Sequence, residues 1–189
     1  MSYSVKTKAI TLLTFLAGLY AISYTACDKG DNTTATTIVK CVTCANGGQC
    51  INDTCRCPSG YEGLGCQTLS IQNFISGWEV TEKGSTSVSS QTYFLEITEN
   101  FGSVTTVTIS ELNNEIDAQG TVSGDTLYIP SQTVNEYTVV GVGYIHSGGT
   151  FGANGAITMR YQVTNTITGV VNDFGYSSPN DSPSQWIKD

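Results

Sequence analysis

Six of the seven cysteines fall within 26 residues, at positions 41, 44, 50, 55, 57 and 66. This cluster constrains the chain more than any other feature. The segment offers only Val42, Ile51, Tyr61 and Leu64 as sizeable apolar side chains. So few cannot build a core, and below about 40 residues a fold usually needs disulfides, a metal or a partner. A disulfide contributes roughly 2–4 kcal/mol, largely by restricting the unfolded chain, and it persists in an oxidising compartment. Cross-linking here therefore implies export. Six cysteines allow 15 pairings, and spacing alone does not choose among them. The competing chemistry is zinc. Cys41-x-x-Cys44 suits one half of such a site, whereas Cys55-x-Cys57 is one residue short of the usual knuckle.

Two glycine motifs accompany the cysteines: Asn46-Gly47-Gly48 before Cys50, and Gly60-Tyr61-Glu62-Gly63 before Cys66. With this spacing, residues 39–67 resemble an EGF-like domain. The resemblance implies the pairs Cys41–Cys50, Cys44–Cys55 and Cys57–Cys66. Gly48 and Gly63 suit turns that need positive φ, and Tyr61 is expected to pack on the last disulfide. Calcium-binding members of the family carry acidic and amide residues before the first cysteine. Here that run is Thr37-Ile38-Val39-Lys40, so no calcium site is expected.

The seventh cysteine is explained by the start of the chain. Lys6 and Lys8 precede an apolar run of 14 residues, 9–22, broken only by Thr11 and Thr14. That suits a signal peptide over residues 1–26 and falls short of the ~20 residues of a membrane-spanning helix. Tyr24-Thr25-Ala26-Cys27 resembles a lipobox of the looser Bacteroidetes type, and Asp28-Lys29-Gly30-Asp31 resembles the short charged export signal of such surface lipoproteins. The resemblance implies lipid on Cys27 and attachment to the outer membrane. Lipid chains contribute ~0.8 kcal/mol per buried methylene, enough for stable anchoring. Ordinary secretion, with Cys27 free or pairing between molecules, is the alternative. Residues 27–38 are polar, lack aromatics and read as a tether.

Charge narrows the partners. Removing residues 1–26 takes away Lys6 and Lys8, leaving six Lys and Arg against sixteen Asp and Glu, a formal charge of −10. An acidic surface argues against nucleic acid.

From residue 68 to 189 no helical period appears, and alternation is frequent. Strands are expected over 78–82, 91–98, 104–110, 115–122, 126–133, 136–145, 156–164 and 168–174. Turn signals such as Ser123-Gly124-Asp125 and Asn113-Asn114 separate them. Short links imply an antiparallel meander. Period two places Trp78, Val80, Tyr93, Leu95, Ile97, Val107, Ile109, Ile116, Ala118, Val122, Leu127, Ile129, Ile157, Met159, Tyr161 and Val163 on one face. One buried face on eight strands suggests a closed sheet; a two-sheet sandwich is the rival. Gly141 and Gly143 would allow bending, and Pro130 suggests a bulge. An opening Gly77-Trp78, eight short strands and about 120 residues resemble a lipocalin-like (calycin) barrel. By that resemblance Arg160 could cover the face of Trp78, although alternation places it on the polar side.

No catalytic set emerges. His146 is the only histidine and sits before Ser147-Gly148-Gly149, which reads as an exposed turn. Glu79 with Glu82, Glu96 with Glu99 and Glu115 with Asp117 read as solvated faces and loop ends. No enzyme activity, cofactor or metal is expected. Tyr128, Tyr144, Tyr176 and Trp186 fall on the polar phase or in the tail. Exposed aromatics can stack on sugar rings or anchor proteins; the alternative for Tyr176 and Trp186 is that they fold back to cover a barrel end. Two functions follow as expectations. One is a non-enzymatic lipoprotein with an EGF-like spacer and a β-domain that recognises protein or glycan at the cell surface. The other is a lipocalin-like carrier, for which a cavity lined by Trp78, Tyr93, Met159 and Tyr161 is required.

Overall fold

The computed structural model describes residues 43–146, 155–178 and 180–189. The expected signal peptide, tether, Cys27 and Cys41 lie outside them.

The cysteine-rich segment is held by cross-links rather than by a core. Disulfides join Cys44 to Cys55 and Cys57 to Cys66, and Cys50 is also disulfide-bonded. A hairpin of β1 (Gln49–Ile51) and β2 (Thr54–Arg56) turns at Asn52 and Asp53, both with positive φ. Ile51 and Leu64 are exposed, whereas Cys66 is fully buried. Gly63 does adopt positive φ, but Gly48 does not. Gly48 is required for space instead: a Cβ there would lie 2.8 Å from the Cys66 sulfur.

The segment continues directly into the rest of the chain. β3 (Tyr61–Glu62) pairs with β4 (Thr68–Leu69), so the expected boundary at 67/68 falls inside a two-stranded ladder. A single 3-10 turn, Ser70–Asn73, follows. Gly60 packs so close to Val104 that a Cβ would meet its carbonyl oxygen at 2.8 Å.

The remaining strands close into an eight-stranded antiparallel barrel. They are β5 (Ser76–Glu82), β6 (Gln91–Glu99), β7 (Thr106–Leu112), β8 (Ile116–Ser123), β9 (Thr126–Val134), β10 (Tyr137–His146), β11 (Ala156–Asn165) and β13 (Ser184–Lys188). Each pairs with the next in sequence, and β13 closes the ring between β11 and β5. The sixteen side chains that alternation places inward all lie in the core, joined by Ile71, Phe74, Leu112, Val139, Phe174 and Trp186.

The closing strand corrects the expectation. The segment 168–174 yields only β12 (Val171–Phe174), which pairs with the far end of β11. The chain then leaves the wall after Gly175 and returns at Ser184 to form β13, which carries Trp186 fully buried. One interrupted strand therefore does the work expected of one continuous strand. Arg160 braces the interruption, donating from Nη1 to the Gly175 carbonyl at 2.8 Å and to that of Asp181 at 3.4 Å. The cation over Trp78 is Lys188, whose Nζ lies 5.5 Å from the ring centroid.

Gly141 and Gly143 serve close packing. A Cβ at Gly141 would approach Tyr161 Cβ to 2.6 Å, and one at Gly143 would approach Met159 Cε to 2.6 Å. Each glycine sits opposite that large residue in the β10–β11 register. Pro130 does mark a bulge: Ile129 opposes Gly141 and Gln132 opposes Val139, leaving two residues against one.

Candidate functional site

Three places in the barrel hold chemistry of different kinds. The first is buried. Trp78, Val80 and Glu82 share one phase of β5, so Glu82 follows the two apolar side chains into the interior. It is 4% exposed. Tyr161 Oη donates to its two oxygens at 2.8 and 2.9 Å, Tyr93 Oη donates to Oε1 at 3.0 Å, and Ser184 Oγ donates to Oε2 at 2.6 Å. Trp186 Nε1 in turn donates to Ser184 Oγ at 2.8 Å. Burial raises the Glu82 pKa above the usual carboxylate range, opposed by the hydroxyl donors. Burial and the nearby carboxylate also push the Tyr93 and Tyr161 phenols up. The network joins β5, β6, β11 and β13 and holds the closing strand. Hydrogen bonds to a charged group contribute about 1.5–3 kcal/mol. The pairing of Glu79 with Glu82 as one solvated face is thus wrong for Glu82. The signal was the continuing period of two, which outweighs the polarity of the residue.

The second place is open. Where the cysteine-rich segment meets one barrel mouth, a cleft of about 400 Å³ is lined by Glu62, Gln72, Asn73, Asp125, Ile145, His146, Gly155 and Lys188. His146 ends β10 half-buried and paired with Ala156, not in an exposed turn. Asn73 Nδ2 donates to Glu62 Oε1 at 2.8 Å, and Lys188 Nζ donates to the Asn73 carbonyl at 2.9 Å. Partial burial lowers the Lys188 pKa. Alternation reports faces and cannot report this meeting of six separate segments, so sequence reasoning missed the cleft.

A smaller polar cleft of about 350 Å³ lies at the interrupted strand, between 83–87 and 180–182. Its floor is Asp173, whose carboxylate accepts the Tyr176 and Ser177 N–H groups at 2.9 and 3.0 Å. Burial would raise the Asp173 pKa, but hydrogen bonds from Ser177, Tyr176 and Gly175 hold it below the ordinary value. This carboxylate is committed to shaping the loop.

The third place is the outer wall. Tyr128 on β9 is 47% exposed and Tyr144 on the neighbouring β10 is 49% exposed. Tyr128 opposes Val142 and Tyr144 opposes Thr126, so the two rings stand diagonally on one face. Thr121 and Thr158 flank them on the next strands. Tyr176 is likewise exposed, on the loop that interrupts the closing strand. Of the four aromatics flagged from sequence, only Trp186 is buried.

The residues required for an internal ligand site are not available to one. Trp78, Met159 and Tyr161 have no exposed surface, Tyr93 has 9%, and all four pack in one core with Trp186 and Phe174. Tyr161 stacks on Phe174 with centroids 4.3 Å apart. Glu96, Glu99, Glu115 and Asp117 are exposed, as expected.

No protein-family model, curated protein or solved structure matches this chain.

Proposed function

We propose that this chain is an exported lipoprotein, anchored through lipid on Cys27, that recognises a glycan at the cell surface. The EGF-like segment is its spacer, and the lipocalin-like barrel carries the recognition surface on its outside. The observation that carries this reading is the contrast between a packed interior and an outer wall with two half-exposed tyrosines on adjacent strands. Tyrosine offers a flat apolar ring with a polar tip at little entropic cost, which suits the faces of sugar rings. Neighbouring threonines supply hydroxyl groups beside it. The disulfides support an oxidising compartment. A carrier function would need interior volume, and the side chains expected to line it are packed together instead.

The test is binding of the full chain to an immobilised glycan panel, with and without Tyr128→Ser and Tyr144→Ser. The expected result is selective binding that the double substitution removes while the melting temperature holds. A panel without binders, together with a specific protein captured through the same tyrosines, would replace the glycan with a protein partner. Intact mass of the native protein reports the anchor: an unmodified Cys27 removes it.

A further inference from the structure

Pockets concentrate at interfaces between structural units and at the mouths of β-barrels, with volumes from about 300 Å³ upward. The cleft between the cysteine-rich segment and the barrel mouth is both, at about 400 Å³. We propose that this cleft binds one or two saccharide units that are neutral or carry an amine, held by Glu62, Gln72, Asp125 and His146. The proposal rests on the glycan reading above.

The lining has the chemistry of sugar recognition. Carboxylates, a primary amide and an imidazole line the cleft, so vicinal hydroxyls can both donate and accept. Ile145 supplies one apolar patch for the C–H face of a ring. The walls are also set in advance. Asn73 links Glu62 of the disulfide segment to Lys188 of the closing strand through bonds of 2.8 and 2.9 Å, and Lys188 is further placed over Trp78. A site whose side chains are already ordered loses less entropy on binding.

Charge decides the class. Glu62 and Asp125 bring two carboxylates. The ammonium of Lys188, which donates to the Asn73 carbonyl and lies over the Trp78 ring, sets one positive charge against these two. An acidic sugar would meet net negative charge, on a chain whose formal charge is already −8. A neutral sugar meets hydrogen-bonding groups, and an amino sugar meets carboxylates. The site is also continuous with the outer wall. The Ile145 N–H donates to the Asp125 carbonyl at 2.9 Å, and the next residues, Tyr144 and Thr126, are paired. A longer chain leaving the cleft over that rim would pass onto Tyr144 and then Tyr128.

The experiment is an amide-shift titration of the isotope-labelled full chain with glucose, glucosamine and glucuronate. The expected result is shifts at Gln72, Asn73, Asp125 and Gly155 with glucose and glucosamine, and binding of glucuronate at least about tenfold weaker. Asp125→Asn and Gln72→Ala should each weaken glucosamine binding by about tenfold, or 1.4 kcal/mol. Gln72 is exposed on the 3-10 turn, so its variant carries the test if the Asp125 variant unfolds. Shifts confined to the strands around Tyr128 and Tyr144 would overturn the cleft and leave glycan recognition standing. Glucuronate binding as tightly as glucosamine would overturn the charge argument. Silence with all three sugars overturns the cleft whatever the glycan panel shows, and a silent panel as well overturns the glycan function with it.

Discussion

The cysteine-rich segment and the barrel solve the same problem by opposite means. Residues 43–67 bury one cysteine fully and leave Ile51 and Leu64 in solvent, so cross-links replace a core. The barrel buries more than twenty apolar side chains and carries no cysteine. Apolar burial contributes roughly 25 cal/mol per Å², so the barrel stabilises its folded state directly. The segment is stabilised chiefly by what its disulfides deny to the unfolded chain. The two regimes meet at β3 and β4, where one ladder belongs to both.

The comparison can be broken from either side. Trp186→Ala should have the largest effect, about 3–5 kcal/mol, because it empties a fully buried site and strips Ser184 of a donor. Denaturant unfolding followed by barrel fluorescence measures it. Replacing Cys57 and Cys66 with serine should remove about 2–5 kcal/mol, felt mainly in the segment. Hydrogen exchange should then accelerate at 49–66 and stay slow in β8 to β10. Equal acceleration throughout would mean that the two regions fold as one. Tyr161→Phe should destabilise by about 1–3 kcal/mol, since it leaves the buried Glu82 short of a donor.

Acidity sharpens the contrast further. The Glu82 pKa is raised in the folded state, so the folded protein binds that proton more tightly than the unfolded chain. Its contribution is fully present below the unfolded value near 4.5 and is lost as pH rises through the folded value. Stability measured against pH should therefore fall across that window, and Glu82→Gln should flatten the fall. An unchanged slope would detach Glu82 from it. The smallest effect belongs to the outer wall. Tyr128→Ser and Tyr144→Ser should each change stability by no more than about 0.5 kcal/mol, because exposed positions seldom matter more. Any loss of binding in those variants is then a loss of contact.

The sequence by itself determined which side chains enter the barrel, because period two is a local property of extended backbone. It carried the inward phase as far as Glu82, where polarity argued the other way and packing won. It also determined that the first part of the chain needs cross-links, since a count of apolar residues is enough for that. Only the tertiary structure decided how the ring closes. β13 is five residues long, follows an eight-residue excursion, and is fixed by partners on β5 and β11 that are distant in sequence. Its place depends on Trp186 filling the core and on Ser184 reaching Glu82, 102 residues earlier. The cleft was equally hidden, because six segments converge there and none carries a motif for it. Local pattern fixes the faces of strands, whereas closure and clefts depend on which distant faces meet.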